Sequence, residues 1–358
     1  MADDLSQLQS DEEILTTVSQ RASAGLVFTR LGGVVLCLNP QRPVAQLYGR
    51  EERLRHLRAL DRQLPPHIYE LGARALASLA ADGDCQSVVF TGVSGAGKTF
   101  LAQRLLQQLC AGAAGASALE EPLLRGCELL DYLGSAAPPP PAASATSANG
   151  AAAAPHAPSC FCRCALVYFR PDGRVAAARV HAAILKRSLL LPERGAGGLR
   201  CLRAVLGADD AIARDLGVGA AAGSRYLSGG GGAAALGGAA AGAEEAARWR
   251  EAAAAMTTLG MSGDSQMAVW RALAAALHLG CVAAPPPTDG AFPASAELSA
   301  AARLLGCQPD ALGRALGGGA AAAARREAAG ALRQLDALAT WLLGRVFDAV
   351  AEALNAAL

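Results

Sequence analysis

Aromatic side chains are scarce in this chain: Phe, Trp and Tyr make up 4% of its 358 residues. Much of its 52% hydrophobic fraction is alanine. Alanine buries little area per residue, so the core is thinner than that fraction suggests. Net charge is scarce too, at +1, which excludes a nucleic-acid binder driven by bulk charge; no nucleic-acid partner is expected. No apolar run reaches membrane-spanning length. The start, Met1-Ala2-Asp3-Asp4, is acidic and does not read as a signal peptide. Ten cysteines show no paired framework, so reduced thiols in a cytoplasmic protein are expected. Cys160-Phe161-Cys162-Arg163-Cys164 is the one cluster. On a strand its three sulfurs share a face. A metal site there needs a fourth ligand, and His156 is too close in sequence for an ordinary zinc ribbon. Three small side chains on a buried face are expected instead.

Lysine is the rarest absence. Lys98 is one of only two lysines among 32 Lys and Arg residues. It sits in Gly92-Val93-Ser94-Gly95-Ala96-Gly97-Lys98-Thr99, a complete G-x-x-x-x-G-K-[ST] phosphate-binding loop. A slim ammonium fits between phosphate oxygens inside a tight loop of backbone N–H groups, where a planar guanidinium does not. Gln86-Ser87-Val88-Val89-Phe90-Thr91 reads as a short buried strand before the loop, and Leu101, Leu105, Leu106 and Leu109 recur at helical spacing after it. Strand, glycine loop and helix are the geometry the motif needs, because phosphates then sit at a helix N-terminus.

Elsewhere, Leu26 to Leu38 alternates as strands do and ends at Asn39-Pro40. Residues 50–82 read as helix interrupted at Pro65-Pro66. Residues 111–158 are Ala, Pro, Ser and Gly with a proline run from Pro138 to Pro141, and read as a disordered linker. Cys162–Phe169 and Val175–Leu185 read as a hairpin about the Arg170-Pro171-Asp172-Gly173 turn. Gly217 to Gly242 reads as a loose surface loop. One helix carries Met267, Trp270, Leu273 and Leu277 and stops at Gly280; another runs from about Leu332 to Leu354. Three regions follow: 1–110 with the nucleotide loop, the linker 111–158, and 159–358 with a hairpin and a helical region.

The loop has company. Asn39-Pro40-Gln41-Arg42 is followed by Tyr48, then Leu64-Pro65-Pro66-His67-Ile68-Tyr69, then Gln86-Ser87 and the phosphate loop. The series resembles the head (motor) domain of myosins, which carries N-P-x-K/R with a following Tyr, a P-H-I-F/Y helix start, and D-Q-S-I leading into G-E-S-G-A-G-K-T. Phe169 to Val175 resembles the hairpin after that family's switch I, and Tyr226-Leu227-Ser228-Gly229 its Y-L-N-x-S-G. Ala255 to Met261, Trp270 to Gly280 and Leu343 to Asp348 resemble later family segments in order. Arg42 to Tyr48 and the short start look most like class nineteen unconventional myosins. The resemblance implies an α/β fold, a P-loop NTPase core with a mixed sheet and surrounding helices, incomplete toward the C-terminus. It implies ATP or ADP with Mg²⁺ as ligands, actin filaments as partner and a cytoskeletal location. It places Asn39, Pro40, Arg42 and Tyr48 around the adenine and Gly92 to Thr99 on the triphosphate. Gly95, Ala96 and Gly97 offer N–H groups there, Lys98 reaches the β- and γ-phosphates, and Thr99 and Ser159 ligate Mg²⁺.

The chain also departs from the family. Switch I in myosins reads N-x-N-S-S-R-F-G, and the corresponding stretch here is Pro155-His156-Ala157-Pro158-Ser159-Cys160-Phe161-Cys162. The arginine that pairs with a switch II glutamate is Cys160, and no thiol replaces a charge-assisted pair. Val93 stands where the family has Glu, and D-x-x-G-x-E occurs nowhere in these residues. The relay helix, main actin-binding region, converter and IQ neck are likewise not found. No catalytic residue is assigned. Two functions stay open: an actin-based motor of which this is part, and a non-catalytic nucleotide-binding scaffold.

Overall fold

The computed structural model describes residues 3–8, 10–42, 44–58, 64–111, 117–136, 159, 161–184, 198–227, 239–283, 292, 294–317 and 328–358. Two compact units divide them. The first takes in residues up to Leu124 and the segment Val167–Ala178. The second is built chiefly on Arg179–Leu358, with Arg125 onward and β-strand residues up to Leu166.

In the first unit, α1 (Asp11–Ser23) starts at Ser10, whose hydroxyl accepts the Glu13 N–H, one half of a capping box. β1 (Phe28–Leu31) and β2 (Val34–Cys37) pair antiparallel through a two-residue Gly32–Gly33 turn, with Phe28 opposite Cys37. Arg21 of α1 is buried and donates to Thr29 Oγ1, the Phe28 carbonyl and Asp3. A short 3₁₀ turn (Ala45–Tyr48) precedes α2 (Arg50–Arg58), α3 (Ile68–Asp82) and α4 (Lys98–Cys110). Val27, Phe28, Ile68, Tyr69, Leu101 and Leu105 make the core of this unit.

The expected strand at Gln86–Thr91 needs correction. Val88 and Phe90 pack on the core while Val89 is 84% exposed, so the strand alternation is present. The segment joins no ladder, however, and the described residues form only two two-stranded sheets. Alternation says which side chains face inward; it does not supply the neighbouring backbone that makes a strand. The mixed sheet is therefore not seen among the described residues.

The linker expectation also fails in part. α5 (Glu120–Leu133) lies inside 111–158, with Leu123, Cys127, Leu130 and Leu133 buried; residues 137–158 lie outside the described ones. β3 (Phe161–Phe169) and β4 (Val175–Ile184) pair around the expected turn, where Gly173 N–H donates to the Arg170 carbonyl at 2.8 Å. Cys162 and Cys164 face outward, against expectation, because the alternate residues take the inner side; Phe161 packs on Phe347 with ring centroids 5.4 Å apart. Cys160 and His156 lie outside the described residues.

The second unit is helical. α6 (Arg200–Val205), α7 (Asp210–Leu216), α8 (Val218–Ala221), α9 (Ala239–Thr258), α10 (Gly263–Leu279), α11 (Ala296–Leu304), α12 (Pro309–Gly317) and α13 (Ala328–Ala357) follow in order. α10 is the central element and packs on α6, α8, α11 and α13. Its Trp270 ring lies 3.8 Å from that of Trp249. Within the supposed loop from Gly217, α8 and the turn after it have Val218, Ala221, Tyr226 and Leu227 buried; residues 228–238 lie outside the described ones. Gly280 ends α10 in right-handed conformation, so its reason is not a left-handed cap. A Cβ there would collide with Ser224 and Tyr226, so the residue is glycine to admit that chain. Asn355 closes the edge of β4, donating to the Val180 carbonyl at 2.9 Å and accepting its N–H at 2.7 Å.

Candidate functional site

The phosphate loop lies in the first unit and opens α4 as the sequence predicts. Gly92, Gly95 and Gly97 all have positive φ, at 143°, 82° and 95°. Such a backbone favours glycine, because side-chain-bearing residues adopt it only under strain; within the loop the Ala96 N–H donates to the Val93 carbonyl at 3.2 Å. α4 starts at Lys98 behind Gly97, with no side chain capping its N-terminus. The first amides of a helix have no partner within it. A helix start of this kind attracts an anion, and the macrodipole adds to the pull.

Lys98 folds back over the loop. Its Nζ donates to the carbonyls of Gly92 and Val93, each at 2.8 Å. Among the described residues no carboxylate pairs with it. Its acceptors among the described residues are thus two neutral carbonyls. Val93 is 78% exposed, and Ser94 is exposed beside it. Thr99 is half-buried in the first turn of α4. These features fit a phosphate chain with a divalent ion.

Asn39 arrives from the other side, just past β2. Its Oδ1 accepts the Gln41 N–H at 2.9 Å, and its Nδ2 donates to the Gly95 carbonyl at 2.9 Å. The first bond shapes an Asx turn, with Gln41 at φ 52°. The second ties that turn to the centre of the phosphate loop across 56 residues of sequence. Pro40 is half-buried and Arg42 exposed in the same turn.

Tyr48 stands beside α4. Its ring meets Phe100 edge-on at 4.9 Å between centroids, and Phe28 backs it at 6.2 Å. Phe100 follows Thr99 directly and is 44% exposed, and Arg104 lies 4.8 Å over its ring. The structure thus brings Asn39, Pro40, Arg42, Tyr48 and Gly92 to Thr99 into one unit. Ser159 belongs to the other unit, where its backbone bridges Ser135.

Sequence reasoning passed over Phe100, and named His67 and Tyr69 only within a motif, without a role. Phe100 carries no motif signal. His67 caps α3, its Nδ1 accepting the Tyr69 N–H at 3.0 Å and its Nε2 reaching the Leu47 carbonyl at 3.1 Å. Both bonds hold only for a neutral ring with its proton on Nε2. Tyr69 is fully buried and donates its hydroxyl to the Tyr48 carbonyl at 3.1 Å. Burial, with His56 stacked 5.0 Å away, pushes the His67 imidazole down to about 3.

That shift predicts acid sensitivity. An unfolded histidine titrates near ~6.5. Below that pH the unfolded chain takes a proton that folded His67 refuses. The stability this neutral ring contributes is full above the unfolded value and is lost as pH falls from there toward 3. The slope from this one group reaches about 1.4 kcal/mol per pH unit. Hydrogen exchange across α3 at pH 7.5, 6 and 5 should show that loss, and His67→Gln should flatten it. An equal slope in the variant would defeat the assignment.

The myosin head (motor domain) family model matches residues 2–358. The chain belongs to the myosin head family. Among curated proteins it is similar to myosin ID heavy chain of Dictyostelium discoideum, 25% identical over 78% of this chain and 24% of that protein. It is also similar to myosin-VIIa of Drosophila melanogaster, 27% identical over 75% of this chain and 12% of that protein. Myosin-8 of Arabidopsis thaliana is 25% identical over 96% of this chain and 23% of its own length. The chain therefore spans about a quarter or less of these relatives. They carry different class names at similar identity, so class nineteen is not favoured. Myosin heads are actin-based motors that bind ATP with Mg²⁺, and this chain is a protein of that family. No helix among its described residues is long and apolar enough to cross a membrane.

Proposed function

We propose that these residues form the nucleotide-holding part of a myosin-type motor and bind Mg-nucleotide without appreciable turnover of their own. The observation that carries this reading is the Asn39–Gly95 bond. It fastens the Asn-Pro turn to a phosphate loop whose lysine pairs with no carboxylate among the described residues, so the two halves of a nucleotide pocket are joined before any ligand arrives. Gly95 and Gly97 offer amides, the Ala96 N–H being bonded to the Val93 carbonyl at 3.2 Å; Lys98 contacts phosphate, Thr99 holds Mg²⁺, and Pro40, Arg42 and Tyr48 border the base. Mg²⁺ supplies charge neutralisation for the phosphate oxygens when bound. Only Thr99 enters this proposal as its ligand.

Turnover needs more than binding. Phosphoryl transfer rests on positioning and charge stabilisation at the attacking water. Cys160 cannot form the family's closing ion pair, and the partner glutamate's motif is not in these residues. Calorimetry with MgATP beside phosphate release, with and without filamentous actin, tests the pair of claims. Binding with no actin-stimulated release is expected, and Cys160→Arg should leave release unchanged. Actin-stimulated release from the 358-residue chain would overturn the proposal in favour of a self-sufficient motor.

A further inference from the structure

We infer that His67 and Tyr69 are positioning residues for the base side of this pocket, and that Phe100 supplies part of its apolar surface; the inference rests on the nucleotide reading above. The 3₁₀ turn that ends at Tyr48 has no side-chain cap of its own. Its last two carbonyls are instead held from α3: Leu47 by His67 Nε2 at 3.1 Å and Tyr48 by the Tyr69 hydroxyl at 3.1 Å. The donors are the N-cap and a first-turn residue of α3, and both are almost wholly buried. His67 is fixed in turn by its cap on Tyr69 N–H and by the rings of His56 and Phe28, 5.0 Å and 4.5 Å away. The anchor is rigid, and what it anchors is the Tyr48 ring.

That ring has one exposed aromatic neighbour, Phe100, in the first turn of the phosphate-binding helix. An exposed phenyl next to a phosphate hollow is an unusual use of surface in a chain so poor in aromatics. Set edge-on to Tyr48, it makes an apolar corner where a flat heterocycle attached to the phosphates can rest. Bonds from α3 to the Tyr48 turn fix the height of that corner relative to α4. They touch no phosphate-binding group. Their loss should therefore weaken a ligand with a base and spare one without.

The test compares MgATP with Mg-tripolyphosphate, by calorimetry on the full chain. Tyr69→Phe removes one hydroxyl without changing shape. His67→Asn keeps an acceptor for the Tyr69 N–H but is too short for the Leu47 carbonyl. Phe100→Ala alters an exposed side chain and leaves the core intact. Each should lower MgATP affinity by about 3- to 10-fold, the range of one lost hydrogen bond or ring contact, with tripolyphosphate unchanged within twofold. Equal losses for both ligands, or no loss for MgATP in Tyr69→Phe and Phe100→Ala, would overturn the positioning role while leaving the phosphate site standing. Failure of the unaltered chain to bind either ligand would overturn the nucleotide reading and this inference with it.

Discussion

Lys98→Ala should reduce MgATP binding at least about 100-fold. Contacts from an ammonium to anionic oxygen are each worth about 1.5–3 kcal/mol, and in the proposed site this side chain contacts two phosphates. Among the described residues its ammonium is held by two carbonyls at 2.8 Å and by no carboxylate, so no charge is waiting to be redistributed when it goes. The amides of the loop and the end of α4 remain, and they alone hold phosphate weakly. Lys98→Arg should fare little better, because a guanidinium is too wide for a loop whose turn is set by three glycines with positive φ. Calorimetry measures both. The fold should survive, since Lys98 caps no helix and packs in no core. An affinity within threefold of the unaltered chain would mean that phosphate is not bound here.

The loop was legible because its signal is local. Glycines at fixed spacing set the turn, and Leu101, Leu105 and Leu106 set the inner face of α4. What depends on distant partners was not legible. Val88 and Phe90 show the right alternation, but a ladder needs a neighbour, and spacing cannot name one. The Cys162–Cys164 pair shares a face as period two requires; only the packing of Phe161 on Phe347 says that this face is the outer one. α5 was hidden for another reason. Leu123, Cys127 and Leu130 carry helical spacing, but the alanine, proline and glycine on both sides dominate any window long enough to read. Pro122 sits in the first turn of α5, where a helix tolerates proline. The roles of His67 and Tyr69 lie in bonds that span 20 and 21 residues. A motif names such residues without saying what they hold.

The largest stability effect is expected at Asp336. Its Oδ1 accepts from Arg225 Nη2 at 2.6 Å and from the Tyr226 hydroxyl at 2.7 Å. Arg225 Nη1 lies 3.4, 3.2 and 3.4 Å from the carbonyls of Leu279, Gly280 and Val282, so its guanidinium caps the end of α10. The Tyr226 ring lies 4.7 Å beneath it. One carboxylate on α13 thus steadies the cation that closes the central helix, and it also satisfies a fully buried tyrosine. Removing it strands a charge and a hydroxyl together. Breaking a fully buried pair costs about 3–5 kcal/mol. Arg225 and Asp336 keep 23% and 17% of their side-chain exposure, which lets water relieve part of that, so Asp336→Ala should cost about 2–4 kcal/mol. Asp336→Asn keeps an acceptor and should lose less. The double change Arg225→Met with Asp336→Leu should also lose less than Asp336→Ala alone, because no unpaired charge remains. Trp249, Trp270 and Trp341 all lie in the second unit, so tryptophan fluorescence during urea unfolding reports on this unit by itself. A loss below about 1 kcal/mol for Asp336→Ala, the level of an exposed pair, would show that the Arg225 cap stands without its carboxylate.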